Sequence, residues 1–228
     1  MTRTTTEPLV LHPVGSSDQL DMTGFRSIVA GYTGRDEAQV RHHIDELAAI
    51  GVAPPPQVPM FYPMPEAAVT TAATAPVGGD NTSGEIEPVL IRHRGKNYLG
   101  VGSDHTDRTL ETVDIGESKQ ACPKPMGSDV IEIGDWSTFD WDKCYARSWV
   151  DGVLYQSGGL VGLRRPEDLL KILADRLDNF DDSSDFVCFA GTLPLLDGTF
   201  VPGTQWELEL TLPDGQSLRH TYTTTKEL

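Results

Sequence analysis

The stretch GEIEPVLIRHRGKNYLGVGSDHTDR, residues 84–108, decides how this chain is read. Glu85 and Glu87 alternate at its start, and Asp104 stands near its end. Side chains two apart on a strand share a face, so both glutamates can reach one point in space. Residues 85–91 and 97–102 read as the two arms of a hairpin. The turn through Arg92-His93-Arg94-Gly95-Lys96-Asn97 brings Asp104 back toward the glutamates. Three carboxylates meeting in this way make an all-oxygen set, suited to Mg²⁺, Mn²⁺ or Ca²⁺. The plainer reading makes Glu85 and Glu87 the wet face of an edge strand and gives Asp104 or Asp107 a turn-capping role.

The bulk properties narrow the partners. The chain has 228 residues and a formal net charge of −16. That length buries a core without disulfides. A phosphate backbone needs clustered Lys and Arg, so nucleic acid is not the expected partner. An anionic membrane exerts no long-range pull on such a chain. A bound dication, however, reverses the local sign and admits an acidic metabolite. Cys122, Cys144 and Cys188 show no metal-like pairing and fit a reducing compartment. No apolar run reaches about 18 residues, and residues 1–11 lack the apolar core of a signal peptide. A cytoplasmic enzyme is the expectation.

Around the decisive stretch the chain reads as one domain. Residues 1–83 form an N-terminal strand, helix and lid-like portion, and residues 84–228 form a β-rich catalytic core. Residues 7–12 and 25–31 read as strands. Residues 35–50 read as a helix, with Val40, Ile44, Leu47 and Ala48 on one stripe. Gly51 and Pro54-Pro55-Pro56 end it. Residues 53–82, rich in Pro, Ala, Thr and Gly, read as an extended, loop-rich passage. Strands are expected at 130–133, 145–150, 153–155, 186–189, 205–212 and 217–223. Asp151-Gly152 makes a two-residue hairpin turn, since both positions tolerate positive φ. A helix opens at Arg165-Pro166-Glu167-Asp168, with Pro in its first turn and acids near its N-terminus. The acids at 178–185 read as a solvated loop, and Trp136, Trp141, Trp149 and Trp206 as core or cover.

In this order the motifs resemble the fumarylacetoacetate hydrolase superfamily over about residues 28–225. That family carries an acid-x-acid strand, matched by Glu85-Ile86-Glu87, and then an Asp-x-Thr-x-Arg strand, matched by Asp104 to Arg108. A lysine precedes a Cys-Pro stretch, here Lys119 before Cys122-Pro123. A strand ending in Gly-Thr-Pro appears as Gly191-Thr192-Leu193-Pro194, and a Pro-Gly hairpin as Pro202-Gly203. The family's His-x-x-Glu pair matches His43-Ile44-Asp45-Glu46. At about 100° per residue, His43 lies about 60° from Val40 and Glu46 about 60° beyond it. His42 lies about 160° away, facing solvent, which favours His43. Two departures stand out. The segment before Asp104 is a bare hairpin, where the family has a longer stretch, and Thr109 follows Arg108 where the family commonly has an acid.

The resemblance implies an α+β, β-rich fold, a mixed β-sandwich roll with a few short helices. It also implies metal ligands Glu85, Glu87 and Asp104 for Mg²⁺ or Mn²⁺, with Ca²⁺ as a further possibility. His43, oriented by Glu46, would activate water, and Lys119 and Thr192 would stabilise an oxyanion. Arg108, Gly191 and Thr192 would contact substrate. The implied reaction is hydrolysis of a carbon–carbon bond in a small 1,3-dicarbonyl or 2-oxo acid, with the cation as Lewis acid. A decarboxylase, isomerase or dehydratase could use the same site. From another class, a non-catalytic metabolite-binding or interaction protein could use the same scaffold. A homodimer is implied by the resemblance as well. His105 is expected to point away from Asp104 and has no assigned role.

Overall fold

The computed structural model describes residues 7–49, 54–181 and 183–226. The chain opens with β1 (Leu9–Pro13), β2 (Leu20–Met22) and β3 (Arg26–Gly31). Helix α1 (Glu37–Ala49) follows. It starts later than residue 35 because the Asp36 carboxylate accepts from the amides of Ala38 and Gln39 at 2.9 and 3.2 Å. Such an acceptor satisfies first-turn N–H groups that lack a helical partner. Residues 50–53, where Gly51 was expected to stop the helix, lie outside the described residues.

The loop-rich reading of 53–82 is corrected. That passage holds β4 (Met60–Met64), β5 (Val69–Thr70), β6 (Thr74–Val77) and β7 (Thr82–Ser83). The expected hairpin follows as β8 (Ile86–His93) and β9 (Lys96–Ser103). It turns at Arg94 and Gly95, with φ of 50° and 77°. Next come β10 (Thr106–Asp107), the short helices α2 (Arg108–Glu111) and α3 (Ile115–Gln120), β11 (Lys124–Pro125) and β12 (Asp129–Ile133). A second hairpin joins β13 (Tyr145–Val150) to β14 (Val153–Gly159), which runs further than residue 155. Its turn residues Asp151 and Gly152 both have positive φ, 49° and 80°. Helix α4 (Pro166–Arg176), β15 (Phe186–Phe189), β16 (Gln205–Thr211) and β17 (Ser217–Lys226) complete the described chain.

Two sheets carry the architecture. The larger has the order β2-β1-β12-β9-β8-β15-β3-β4, and the smaller β14-β13-β16-β17-β6. One buried cluster joins the sheets and contains Ile86, Leu90, Leu99, Val101, Trp206 and Leu210. A second lies on the opposite face of the large sheet, with Val29, Val89, Ile91, Tyr98, Val187 and Phe189. Strand β8 therefore has cover on both faces, as its near-continuous apolar sequence requires. This decides the fate of Glu87. It shares a face with Val89 and Ile91 and is carried into the interior, 3% exposed. An edge strand with a wet acidic face is not what forms.

A glycine brings the next element over this face. A Cβ on Gly102 would stand 2.6 Å from Phe189 Cε1 and 3.0 Å from the Pro125 carbonyl oxygen. Without it, the segment after β11 bridges Gly102 through Met126, and the Gly127 amide donates to the Val101 carbonyl at 2.9 Å. Lys124 is thereby laid across the strand ends and is fully buried.

A buried carboxylate cluster at the end of the central hairpin

Pairing of Ile86 with Ser103 continues outward, and the Asp104 amide donates to the Glu85 carbonyl at 3.0 Å. Register alone thus puts Glu85, Glu87 and Asp104 on one face at one end of β8 and β9. The opposite face is held by neutral hydrogen bonds. Tyr222 donates to Ser103 Oγ at 2.9 Å, and Ser103 Oγ accepts from the Glu85 amide at 3.2 Å. Since the Tyr222 proton is so placed, His105 Nδ1–H donates to Tyr222 Oη (2.9 Å) and Nε2 accepts from Thr82 (3.0 Å). Burial, followed by Lys124, pushes the His105 imidazole down to about 3, so it is neutral. It points away from the carboxylates and serves as a strut.

Each carboxylate has a partner. Glu87 Oε2 accepts from the Gly191 amide at 2.8 Å. Only glycine serves there, because φ is +102° and a Cβ would fall 1.7 Å from Thr33 Oγ1. Asp104 Oδ2 takes a short bond from Lys119 of α3. Lys124 Nζ stands 3.2 Å from Asp104 Oδ1. Its hydrogen bonds nevertheless go to the carbonyls of His105, Lys119 and Cys122. Oδ1 is left buried without a hydrogen-bond donor. The separation and the missing bond are compatible: the ammonium supplies charge to Oδ1, and its protons point elsewhere. Glu85 Oε2 pairs with Arg108 at 2.9 Å.

The electrostatics follow from this crowding. Burial raises Glu87 well above the ordinary carboxylate value, and nearby Asp104 adds to the rise. Burial pushes Asp104 upward as well, but Lys119 and Lys124 outweigh it and hold the carboxyl well below its usual range. Burial disfavours charge on Lys119, and Asp104 more than restores it. Lys124 has the same neighbour, yet burial wins and its value falls. The two lysines therefore differ: Asp104 more than offsets burial at Lys119, whereas at Lys124 burial outweighs Asp104, and three carbonyls take its hydrogen bonds.

The other expected site residues fall as follows. Arg108 is buried and saturated. It also donates to Ser83 Oγ at 2.6 Å and to Glu111 at 2.9 Å, and its guanidinium carbon lies 3.5 Å from the centre of the Phe200 ring. Asp107 caps α2, accepting from Thr109 and Leu110. Thr192 Oγ1 donates to the Ile86 carbonyl and accepts from Gln156, both at 2.8 Å. Gly191 and Thr192 thus position Glu87 and its strand. His43 and Glu46 lie in α1, and their side chains fall outside the described residues. Thr33, three residues before the capping Asp36, packs at Gly191, which starts α1 beside the cluster. Sequence reasoning gave no role to Lys124. It also missed Tyr62 of β4, whose ring centre is 5.7 Å from Lys119 Nζ.

The donors suit a hard dication in type and charge: three carboxylates, one with a buried oxygen that lacks a donor. In the arrangement described, Lys119 and Arg108 balance two of them. Among the described residues no three His, Cys, Asp or Glu groups stand at metal-holding separation. The three acids are brought together on one face, but not into coordination. A cavity of about 490 Å³ lies at the far end of the same hairpin, lined by Arg92, Asn97, Trp136, Leu170 and Phe180. It is nowhere near this chemistry.

The fold is that of the fumarylacetoacetate hydrolase family. A fumarylpyruvate hydrolase from Pseudomonas aeruginosa, solved with Mn²⁺ and pyruvate, superposes with a TM-score of 0.66 at 18% identity, covering 97% of each chain. A 5-carboxymethyl-2-hydroxymuconate delta-isomerase from Mycobacterium smegmatis gives 0.59 at 16% identity, over 93% of this chain and 87% of that one. A yeast fumarylacetoacetate hydrolase family protein gives 0.60 at 14% identity, over 88% and 93%. No curated protein matches by sequence. Residues 30–222 match the family described as protein of unknown function (DUF2848), and the chain belongs to that family. No helix among the described residues is long and apolar enough to cross a membrane.

Proposed function

We propose that the protein is a divalent-metal-dependent hydrolase that cleaves a carbon–carbon bond in a small 1,3-dicarbonyl or 2-oxo acid of acylpyruvate type. The observation that carries this reading is the meeting of Glu85, Glu87 and Asp104 with Lys119 at the end of the central hairpin. Glu85, Glu87 and Asp104 would hold Mg²⁺ or Mn²⁺. The cation, when bound, supplies Lewis-acid polarisation of a substrate carbonyl.

The chain's own groups do the rest. Gly191 holds Glu87 by its amide, and Arg108 holds Glu85. Lys119, charged against Asp104, offers a fixed cation to oxygen charge that develops on the substrate. His43 of α1, oriented by Glu46, takes the proton from the attacking water and returns one to the departing carbon. Water adds to the carbonyl carbon, the adjacent carbon–carbon bond breaks, and two smaller carbonyl compounds leave. The working form is a homodimer.

Substitution of Glu85 or Glu87 by Ala is expected to abolish both Mn²⁺ binding and turnover of a simple acylpyruvate. Unchanged turnover removes the proposal. An isomerase of the same fold supports a second reading, in which the carbon skeleton stays whole. Two organic products from one substrate mark the hydrolase, and one product of unchanged mass marks the isomerase.

A further inference from the structure

We propose that Tyr32 and Tyr62 form the substrate wall of this site and offer two phenolic O–H donors to the carboxylate of a small 2-oxo acid. The substrate class rests on the hydrolase reading above, but the wall itself rests on geometry. The Tyr62 ring packs beside two glycines, and at Gly31 the absence of a side chain makes room for it. A Cβ on Gly31 of β3 would lie 3.1 Å from its Cε2, and one on Gly116 of α3 would lie 3.8 Å from its Cδ1. The ring is thus fixed between the large sheet and the helix that carries Lys119.

Tyr32 follows Gly31 directly and has φ of +55°. That left-handed backbone favours Gly or Asn, and a bulky aromatic there is strained. Strain of this kind gathers where a side chain must be aimed. Tyr32 leads into Thr33, which packs at Gly191 beneath Glu87.

Both tyrosines are only part-buried. Neither hydroxyl has a hydrogen-bond partner among the described residues, and neither is sealed from solvent. The open donor on Tyr62 thus stands beside a charged lysine, its ring centre 5.7 Å from Lys119 Nζ, and Tyr32 follows Gly31, the residue that crowds that ring. Burial raises both phenols, Tyr62 to about 12, while Lys119 opposes the rise. Tyr32, Glu111 and Asp104 raise Tyr62 further, and Glu111 also raises Tyr32. The phenols consequently keep their protons at neutral pH and act as donors. A ligand group that only accepts, next to an ammonium, is the complement of this wall. A ligand donor would find better partners in Asp104 and Glu87.

The test is calorimetric titration of pyruvate into the Mn²⁺-treated protein, as wild type, Tyr32→Phe, Tyr62→Phe and the double variant, each also melted thermally. Each single change is expected to weaken pyruvate roughly 3- to 10-fold, and the double change roughly 10- to 100-fold, the loss typical of one and two hydrogen bonds of ordinary strength. Melting temperatures should stay at the wild-type value, because the hydroxyls bond to nothing in the protein. With an acylpyruvate, KM should rise while kcat stays within about twofold. Wild-type affinity in the double variant overturns the proposal. So does a wild type that does not take up pyruvate, or a melting temperature that falls with the affinity. Pyruvate binding that depends on the tyrosines without any bond cleavage keeps this wall and removes the hydrolase reading. Cleavage indifferent to both tyrosines does the reverse.

Discussion

The central hairpin has two charged ends with opposite fates. At its turn, Lys96 pairs with Glu132 at 3.1 Å, and both side chains are about half exposed, 59% and 49%. At its open end, Lys119 pairs with Asp104, and the side chains are 9% and 1% exposed. Both ends carry lysine–carboxylate pairs. Only the second sits between a buried strand face and a covering segment, where charge cannot be screened by water. An exposed pair gives little because solvent competes with it. A buried pair is costly to break because one partner is left uncompensated. Burial, more than charge pattern, separates the candidate site from ordinary surface.

Mutations can break that contrast. Asp104→Ala strands Lys119 and Lys124 inside and is expected to cost roughly 3–5 kcal/mol in denaturant unfolding. Glu132→Ala at the other end should leave the midpoint where it is. Equal losses at both ends would refute the comparison. Lys124→Met follows in size. Its ammonium satisfies three carbonyls, so about 2–3 kcal/mol is expected, read by the same unfolding curves.

Glu87→Gln has a smaller effect of opposite sign. Its carboxyl is raised above the ordinary 4.5 in the folded protein. Above that pH the unfolded chain loses the proton while the folded chain keeps it, so stability falls as pH rises toward the folded value. In metal-free buffer the Gln variant should gain stability over wild type at pH 8 and gain less at pH 4.5. An equal change at both pH values would contradict the buried-acid account. Asp104 behaves conversely. Its folded value is depressed below 3.8. The stability it confers is therefore present above that pH and lost as pH falls below it.

Much of this was legible from residues alone, for identifiable reasons. Strands β8 and β9 announce themselves by length, and the period of two places Glu85 and Glu87 on one face. Asp151-Gly152 and the Pro-led start of α4 carry their own local chemistry. The strands within 53–82 did not show because two to five residues hold no period; they form by pairing with distant partners such as β3 and β17. Lys124 gave no sign for a related reason. A lysine in sequence reads as solvated, and only the approach allowed by Gly102 buries it. The readings of Arg108 and Gly191-Thr192 as substrate contacts meet groups already bonded within the protein. Motif order brought these residues to the site without fixing where their donors point.

In the proposed reaction Glu85, Glu87 and Asp104 act as one cation site. Titration of the purified chain with Mn²⁺, followed by electron paramagnetic resonance of the free ion, tests this most directly. One saturable ion per chain is predicted, lost in Glu87→Ala and retained in Glu132→Ala. No saturable binding, or binding that survives Glu87→Ala unchanged, would contradict it.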